Sequence, residues 1–305
     1  MINLSGAFIA PATPVTTDGS VDYPQFERLL DFLIESGIDG VCIGGGTAEY
    51  PRFDSTDRGQ LISVASNVLG KRGKLLASIG SSSYSRTLAL GRQAEKISPD
   101  ALLLPAPHFF RYQQNDLEHF CRSVSRKLSV PIILYNLPVF TNPYEVDTAL
   151  RLLQSEPNII GIKDSSGDRK ALPAYRDGRQ GHSFSLLMGM DTLIFDALET
   201  GWDGSISGLG NLCPDLIAAL VSSYRKGDIE KARHCQDLIC RIATEFGKLP
   251  VPWAVRAGLE VRGYPCGPTA IPPCPERTDQ IKEFQAWFEV LLDSELKGAV
   301  STPSI

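Results

Sequence analysis

The sequence predicts an α/β fold, a (β/α)8 TIM barrel with a C-terminal helical appendix, and three observations carry that prediction. Eight short apolar runs recur along the first 226 residues, a stretch with helical periodicity follows each of them, and past residue 226 only helical patterns remain. Eight strands with eight crossover helices close into a barrel. The rival, an open doubly wound sheet, normally needs fewer strands, and its dinucleotide-binding form needs G-x-G-x-x-G after strand one. Here the first strand runs into PATPVTTDGS, and the glycine triplet 44–46 has Glu49 where a third fingerprint glycine would fall.

Strands are expected at 7–12 (AFIAPA), 40–45 (GVCIGG), 74–80 (KLLASIG), 100–105 (DALLLP), 131–136 (PIILYN), 159–164 (IIGIKD), 184–189 (FSLLMG) and 204–208 (GSISG). None shows a clean apolar–polar alternation, the pattern of strands covered on both faces. Between them, residues 22–37 place Phe26, Leu29, Leu30, Leu33 and Ile34 on one helical stripe, with Gly37 as the stop. The 55–70 stretch opens on Ser55 as a cap and closes on Gly70. Further helices are expected at 84–97, 115–128, 144–155, 169–177, 191–200 and 214–226, with Asn142 and Pro143 as cap and first-turn proline of the fifth. Then come 228–248, 251–262 and 276–296, the last two separated by a proline-rich loop. This gives a barrel carrying the active site over 1–226, a helical domain over 227–296 and a loose tail at 297–305.

The composition excludes several functional classes. The 305 residues are 43% hydrophobic and 21% charged, with a net charge of −5, so nothing points to nucleic acid or an anionic membrane. No apolar run approaches a membrane span, and the first residues, MINLSGAFIAPATP, lack the basic start and apolar centre of a signal peptide. Seven cysteines, none in a C-x-x-C, read as free thiols of a cytoplasmic protein. His234 beside Cys235 reads as an ordinary helix residue rather than a metal ligand.

Barrel enzymes place their working groups at the C-terminal ends of the strands. Among the expected strand ends only the sixth offers an amine, Lys163. An amine withdrawn from water loses proton affinity, and a neutral amine attacks a ketone to form a Schiff base. Taken alone, a strand-end lysine more often reaches for water. Tyr135, at the end of the adjacent fifth strand, is placed to shuttle protons around that amine. Thr47 is positioned to orient the phenol by a hydrogen bond, or to serve as a turn cap. Gly45 and Gly46 let backbone N–H groups approach a carboxylate, or simply make a tight turn. Glu49 reads as a supporting or helix-start carboxylate, not a catalytic one.

Six motifs in order carry a resemblance along nearly the whole chain: GAFIAPATP (6–14), GGTAE (45–49), YNLP (135–138), GIKDSSGD (161–168), GMD (189–191) and GSISGLGN (204–211). With them the chain resembles the pyruvate-dependent class I aldolases, the family that includes dihydrodipicolinate synthase and N-acetylneuraminate lyase. That resemblance implies a barrel with a C-terminal helical domain, a homotetramer built as a dimer of dimers, pyruvate and an aldehyde as small-molecule partners, and no metal or organic cofactor. It implies Lys163 as the imine-forming residue and Tyr135 as acid and base. It also implies that Gly46 and Thr47 hold the pyruvoyl carboxylate and the tyrosine, that Ile206 lies beside the ketoacid, and that Gly189 stands at the mouth.

The departures concern the second substrate. The family's loop pattern G-[ST]-[ST]-G-E has Gly46 at its first hydroxyl position and Ala48 at its second glycine, a G-G-T form shared with some keto-deoxy sugar acid dehydratases. Phe140 stands where the synthases carry an arginine for the second substrate's carboxylate, and Phe109 where they carry an intersubunit relay tyrosine. The expected activity is therefore a lyase that cleaves or forms a 2-keto-3-deoxy sugar acid or 4-hydroxy-2-oxo acid with pyruvate. The alternatives are a Schiff-base dehydratase, dihydrodipicolinate synthase proper (disfavoured by Phe140 and Phe109) and a non-catalytic keto-acid sensor.

Overall fold

The computed structural model of the chain describes residues 4–296. Eight strands, β1 (Gly6–Ile9), β2 (Gly40–Ile43), β3 (Lys74–Ser78), β4 (Ala101–Pro105), β5 (Ile132–Asn136), β6 (Ile159–Asp164), β7 (Ser185–Met188) and β8 (Gly204–Ser207), close into one barrel in sequence order. Each pairs in parallel with the next, and β8 returns to β1 with Gly204 opposite Gly6. Helices α1 (Tyr23–Glu35), α2 (Ser55–Leu69), α3 (Tyr84–Glu95), α4 (Gln114–Ser125), α5 (Val146–Ser155), α6 (Ala171–Gly178), α7 (Ile194–Glu199) and α8 (Pro214–Arg225) make the crossovers. Helices α9 (Ile229–Phe246), α10 (Val251–Val261) and α11 (Pro275–Leu291) follow, and a π-turn ends the described chain at Leu296. The tail expected at 297–305 lies outside the described residues.

The barrel explains why no strand alternated in polarity. On β1 Ala7 and Ile9 face the helices while Phe8 points inward; on β4 Leu102 and Leu104 face out while Ala101 and Leu103 point in. Both faces are covered, so both parities are apolar. The inner cluster, which includes Cys42, Leu76, Ile133, Leu187 and Ile206, fills the barrel with packed side chains beneath the mouth. Among the described residues no helix is long and apolar enough to cross a membrane.

Two expected caps are corrected. The N-cap of α2 is Asp54, whose carboxylate accepts from the amides of Thr56 and Asp57, and Ser55 is the first helical residue. A carboxylate reaches two orphan amides at once and suits the positive end of the helix dipole. Asn142 and Pro143 do not start α5, which begins at Val146 after Glu145. The Asn142 amide instead donates to the carbonyls of Pro107 and Phe110 and accepts from the Tyr112 N–H, pinning the β4–α4 loop to the β5–α5 loop. The helix expected at 191–200 opens as a 3-10 turn, Asp191–Leu193, before α7.

A Cβ at Gly204 would overlap the carbonyl oxygen of Gly6, because the two backbones meet closely where the barrel closes. Gly204→Ala is expected to cost about 1–3 kcal/mol, the usual penalty for crowding a packed interior. A thermal melt should show a Tm lowered by several degrees; an unchanged Tm would mean the seam has room to spare.

Candidate active site

Pairing of β5 with β6 sets Tyr135 directly opposite Lys163. The Lys163 side chain rises from an apolar strand whose preceding residue, Ile162, packs outward, so the lysine turns into the barrel mouth. It is only 4% exposed. Its Nζ lies 4.3 Å from the centre of the Tyr135 ring, and among the described residues no carboxylate pairs with it. Gly189 leaves room for the lysine arm: a Cβ there would overlap Ser165 Oγ and stand 2.8 Å from Lys163 Cε. Ile206 is fully buried in the inner cluster that also contains Tyr135 and Leu187.

The strand end that carries the lysine is braced. Asp164 is buried, and its carboxylate accepts from the Asn136 amide at 2.9 Å and from the backbone N–H and hydroxyl of Ser166. Asn136 in turn accepts from the Tyr144 N–H. Burial pushes the Asp164 carboxyl above its ordinary range, and these hydrogen bonds oppose that shift. On the far side, Asp191 accepts from the Ser207 hydroxyl and the Leu209 N–H, and Gln236 of α9 donates to the Asp191 carbonyl. Burial raises the Asp191 carboxyl too; the Lys163 amine is among the groups pulling it back.

The GGTAE loop approaches from β2. A Cβ at Gly46 would stand 3.8 Å from the Tyr135 hydroxyl and 3.7 Å from Leu137, so the glycine brings bare backbone beside the phenol. No hydrogen bond joins Thr47 to Tyr135 among the described residues; the Thr47 hydroxyl faces Gly208 instead. Glu49 takes a left-handed backbone, φ 54°, unusual for a residue with a side chain. Arg256 of α10 holds it there, with Nη2 at 2.6 Å and Nε at 3.1 Å from Glu49 Oε1. The same guanidinium donates to the carbonyls of Thr13, Cys266 and Gly267, tying the first strand's exit, the loop and the C-terminal helices together.

Beside the GGTAE loop opens a cavity of about 680 Å³, lined by Gly46, Tyr50, His108, Leu137, Phe140 and residues 246, 247 and 249–252, among others. The Tyr50 hydroxyl meets His108 Nδ1 at 3.2 Å. Burial holds the imidazole below its ordinary range and pushes the phenol up to about 12. Phe140, 62% exposed, sits on the rim. It also lines a smaller hollow of about 190 Å³ with Phe109 and Arg111. Phe109 is 86% exposed on a left-handed backbone, φ 83°.

The structure therefore brings Lys163, Tyr135, Gly46, Gly189 and Ile206 together, and sets Thr47 against Gly208 and Phe140 at the rim. Sequence reasoning missed the clamp on Glu49 and the cavity wall from residues 246–252. Arg256 had one signal, a lone guanidinium in a helix, VPWAVRAGLEV, whose only other charged residue is Glu260. Among the described residues no cluster of three or more His, Cys, Asp or Glu side chains could hold a metal ion.

Comparison with known proteins gives one consistent finding. The sequence matches the model of the dihydrodipicolinate synthetase family over residues 3–289. It is 32% identical over 275 residues to the 4-hydroxy-tetrahydrodipicolinate synthase of Ralstonia nicotianae, covering 86% of this chain and 90% of that protein. The structure of the 4-hydroxy-tetrahydrodipicolinate synthase from Methylacidiphilum fumariolicum SolV superposes with a TM-score of 0.90 at 28% identity, covering 98% of this chain and 100% of that one. YagE, an E. coli K12 prophage protein of the dihydrodipicolinic acid synthase family solved in complex with pyruvate, superposes with a TM-score of 0.86 at 26% identity, over 96% of this chain and 98% of that one.

The clamp makes a stability prediction. Both side chains of the Glu49–Arg256 pair are largely buried, and removing one partner of such a pair strands the other. Glu49→Ala is expected to cost about 3–5 kcal/mol in urea denaturation, and adding Arg256→Met should recover part of the loss. A single-variant loss below about 1 kcal/mol, the value of an exposed pair, would show that the clamp bears little load.

Proposed function

Because the chain belongs to the dihydrodipicolinate synthetase family and is a carbon–carbon lyase of the pyruvate-dependent class I aldolase type, we propose that Lys163 is the residue that forms the imine with pyruvate. One observation carries this reading: a buried amine at a barrel strand end, without a pairing carboxylate among the described residues, packed on the ring of a tyrosine. The pyruvate complex of YagE supports the choice of ketoacid.

In this mechanism the Nζ lone pair attacks C2 of pyruvate, and Tyr135 gives the proton with which the carbinolamine hydroxyl leaves as water. The iminium then withdraws electrons from C3. Loss of a C3 proton gives an enamine, whose C3 attacks an aldehyde carbon while the new alkoxide takes a proton. In reverse, a base removes the C4 hydroxyl proton and the C3–C4 bond breaks. The backbone at Gly46 and Thr47 would hold the pyruvate carboxylate, Ile206 would flank the ketoacid, and Gly189 keeps space for the lysine arm. The Asp164–Asn136–Ser166 brace preorganises the strand end, so that little ordering remains to be done on binding.

The relatives' names support the synthase reaction better than the sugar-acid cleavage expected from the sequence. Arg111, in the hollow shared with Phe140, is a cation that reading could use. The 140 and 109 positions weigh against it: one offers no cation and the other no hydroxyl. The dehydratase and sensor alternatives separate by product, since a dehydratase would yield a new oxo acid and a sensor nothing. For assembly we keep the homotetramer, supported by the exposed apolar loop residues Phe109, Phe110 and Val139. A cytoplasmic setting is supported by seven free thiols.

Incubation with pyruvate and borohydride should add one reduced pyruvyl group to the peptide holding Lys163. Labelling elsewhere with Lys163 untouched would refute the assignment. Tyr135→Phe should keep imine formation possible while lowering kcat about 10²–10⁴-fold, the range for a positioned acid–base group. A variant within a few-fold of the parent would remove Tyr135 from the mechanism.

A further inference from the structure

Resting on the imine at Lys163, we infer that the aldehyde partner carries an uncharged apolar substituent, of the size of an aromatic ring or a medium alkyl chain, rather than a carboxylate or a polyol. The inference comes from the cavity beside the GGTAE loop. Gly46 lies beside the Tyr135 hydroxyl and also lines this cavity, so the cavity adjoins the proposed pyruvate subsite through that residue. An aldehyde that reacts with C3 of the enamine has its carbonyl near Tyr135 and its remaining atoms in this space.

The walls state what those atoms can be. Leu137, Phe140, Phe246, Leu249 and Val251 are apolar, and none of the described lining residues is Lys or Arg. The one formal charge among them is the carboxylate of Glu49, and the Arg256 guanidinium already pairs it. His108 does not supply the missing cation, because burial disfavours its charged form. A substrate carboxylate here would give up water without a free counter-ion among the described lining residues. A polyol fares little better. Each hydroxyl that leaves water needs a partner, and the Tyr50 hydroxyl is already engaged with His108. An apolar substituent loses nothing and gains the contact of Leu137, Phe140 and Leu249. At about 680 Å³ the cavity is within the range of small-molecule pockets and large enough for a ring.

The reaction adds no redox step. The enamine C3 forms a bond to the aldehyde carbon, the carbonyl π electrons go to oxygen, and that oxygen takes a proton. Water then hydrolyses the iminium and releases a 4-substituted 4-hydroxy-2-oxo acid, regenerating the Lys163 amine.

The test is the purified full-length enzyme with pyruvate and four aldehydes: benzaldehyde, hexanal, glyceraldehyde and aspartate semialdehyde. Product formation is followed by liquid chromatography and mass spectrometry. The kcat/KM for benzaldehyde or hexanal should exceed that for glyceraldehyde and for aspartate semialdehyde by at least about tenfold, the least that a matched apolar pocket discriminates. Phe140→Arg, checked for folding by its thermal melt, should shift the ratio toward aspartate semialdehyde by about tenfold or more, since it supplies the absent cation. Preference of the parent for aspartate semialdehyde, above all if Arg111→Ala abolishes it, would overturn the inference. So would intact pyruvate trapping at Lys163 with no turnover of either apolar aldehyde. Absence of the trapped adduct would instead bring down the imine reading itself, and this inference with it.

Discussion

Everything at the mouth of this barrel is arranged around one constraint: a lysine amine held out of water, with which no carboxylate among the described residues forms an ion pair. A buried charge in an apolar setting is costly, and proteins usually pair it or leave it exposed. Here the barrel geometry leaves little choice. Closure fixes the register of β5 against β6, the register places Tyr135 opposite Lys163, and the packed interior beneath prevents retreat. The nearest compensation is the face of the phenol ring, a cation–π contact. Gly189 can only be small, because the lysine arm and Ser165 occupy the space a side chain would take. The polar brace of Asp164, Asn136 and Ser166 sits one residue beyond the amine, where it stiffens the strand end without neutralising the lysine.

The second organising element is the ion pair between Glu49 and Arg256. It spans 207 residues of sequence and ties α10 to the loop that follows β2. Glu49 holds an unfavourable backbone angle, and a buried guanidinium with two N–H groups on one carboxylate oxygen is the sort of contact that can maintain one. By fixing α10 against the GGTAE loop, the pair also sets where the 246–252 segment stands, and that segment supplies one wall of the cavity. The helices after the barrel thus shape the space in which a second substrate would meet the ketoacid.

Much of this was legible in the sequence. All eight strands were visible as apolar runs, and the observed boundaries fall inside the expected ones by up to three residues, except that β1 begins at Gly6, one residue early. The runs overshoot at their exits because barrel loops such as 10–15 are as buried as the strands that feed them. The pairing of Tyr135 with Lys163 followed from strand order alone. The cap of α2 was misplaced by one residue because Asp54 and Ser55 are both capping types, and only geometry shows which carboxylate or hydroxyl reaches the free amides. Asn142 misled for a related reason: Asn–Pro marks a turn as readily as a helix start, and here its amide serves a neighbouring loop. Arg256 stood out in its helix, but the Glu49 clamp and the cavity wall both depend on residues some two hundred positions away, and no local pattern encodes that meeting.

The most direct test of the central claim is a crystal structure of the protein soaked in pyruvate. The account predicts continuous density from Lys163 Nζ to C2 of the ketoacid, with the Tyr135 hydroxyl near that carbon, the carboxylate against the backbone of Gly46 and Thr47, and the cavity bounded by Phe140 and Leu249 left open above C3. Pyruvate bound without a covalent link to Lys163, or with its methyl group turned away from that cavity, would contradict it.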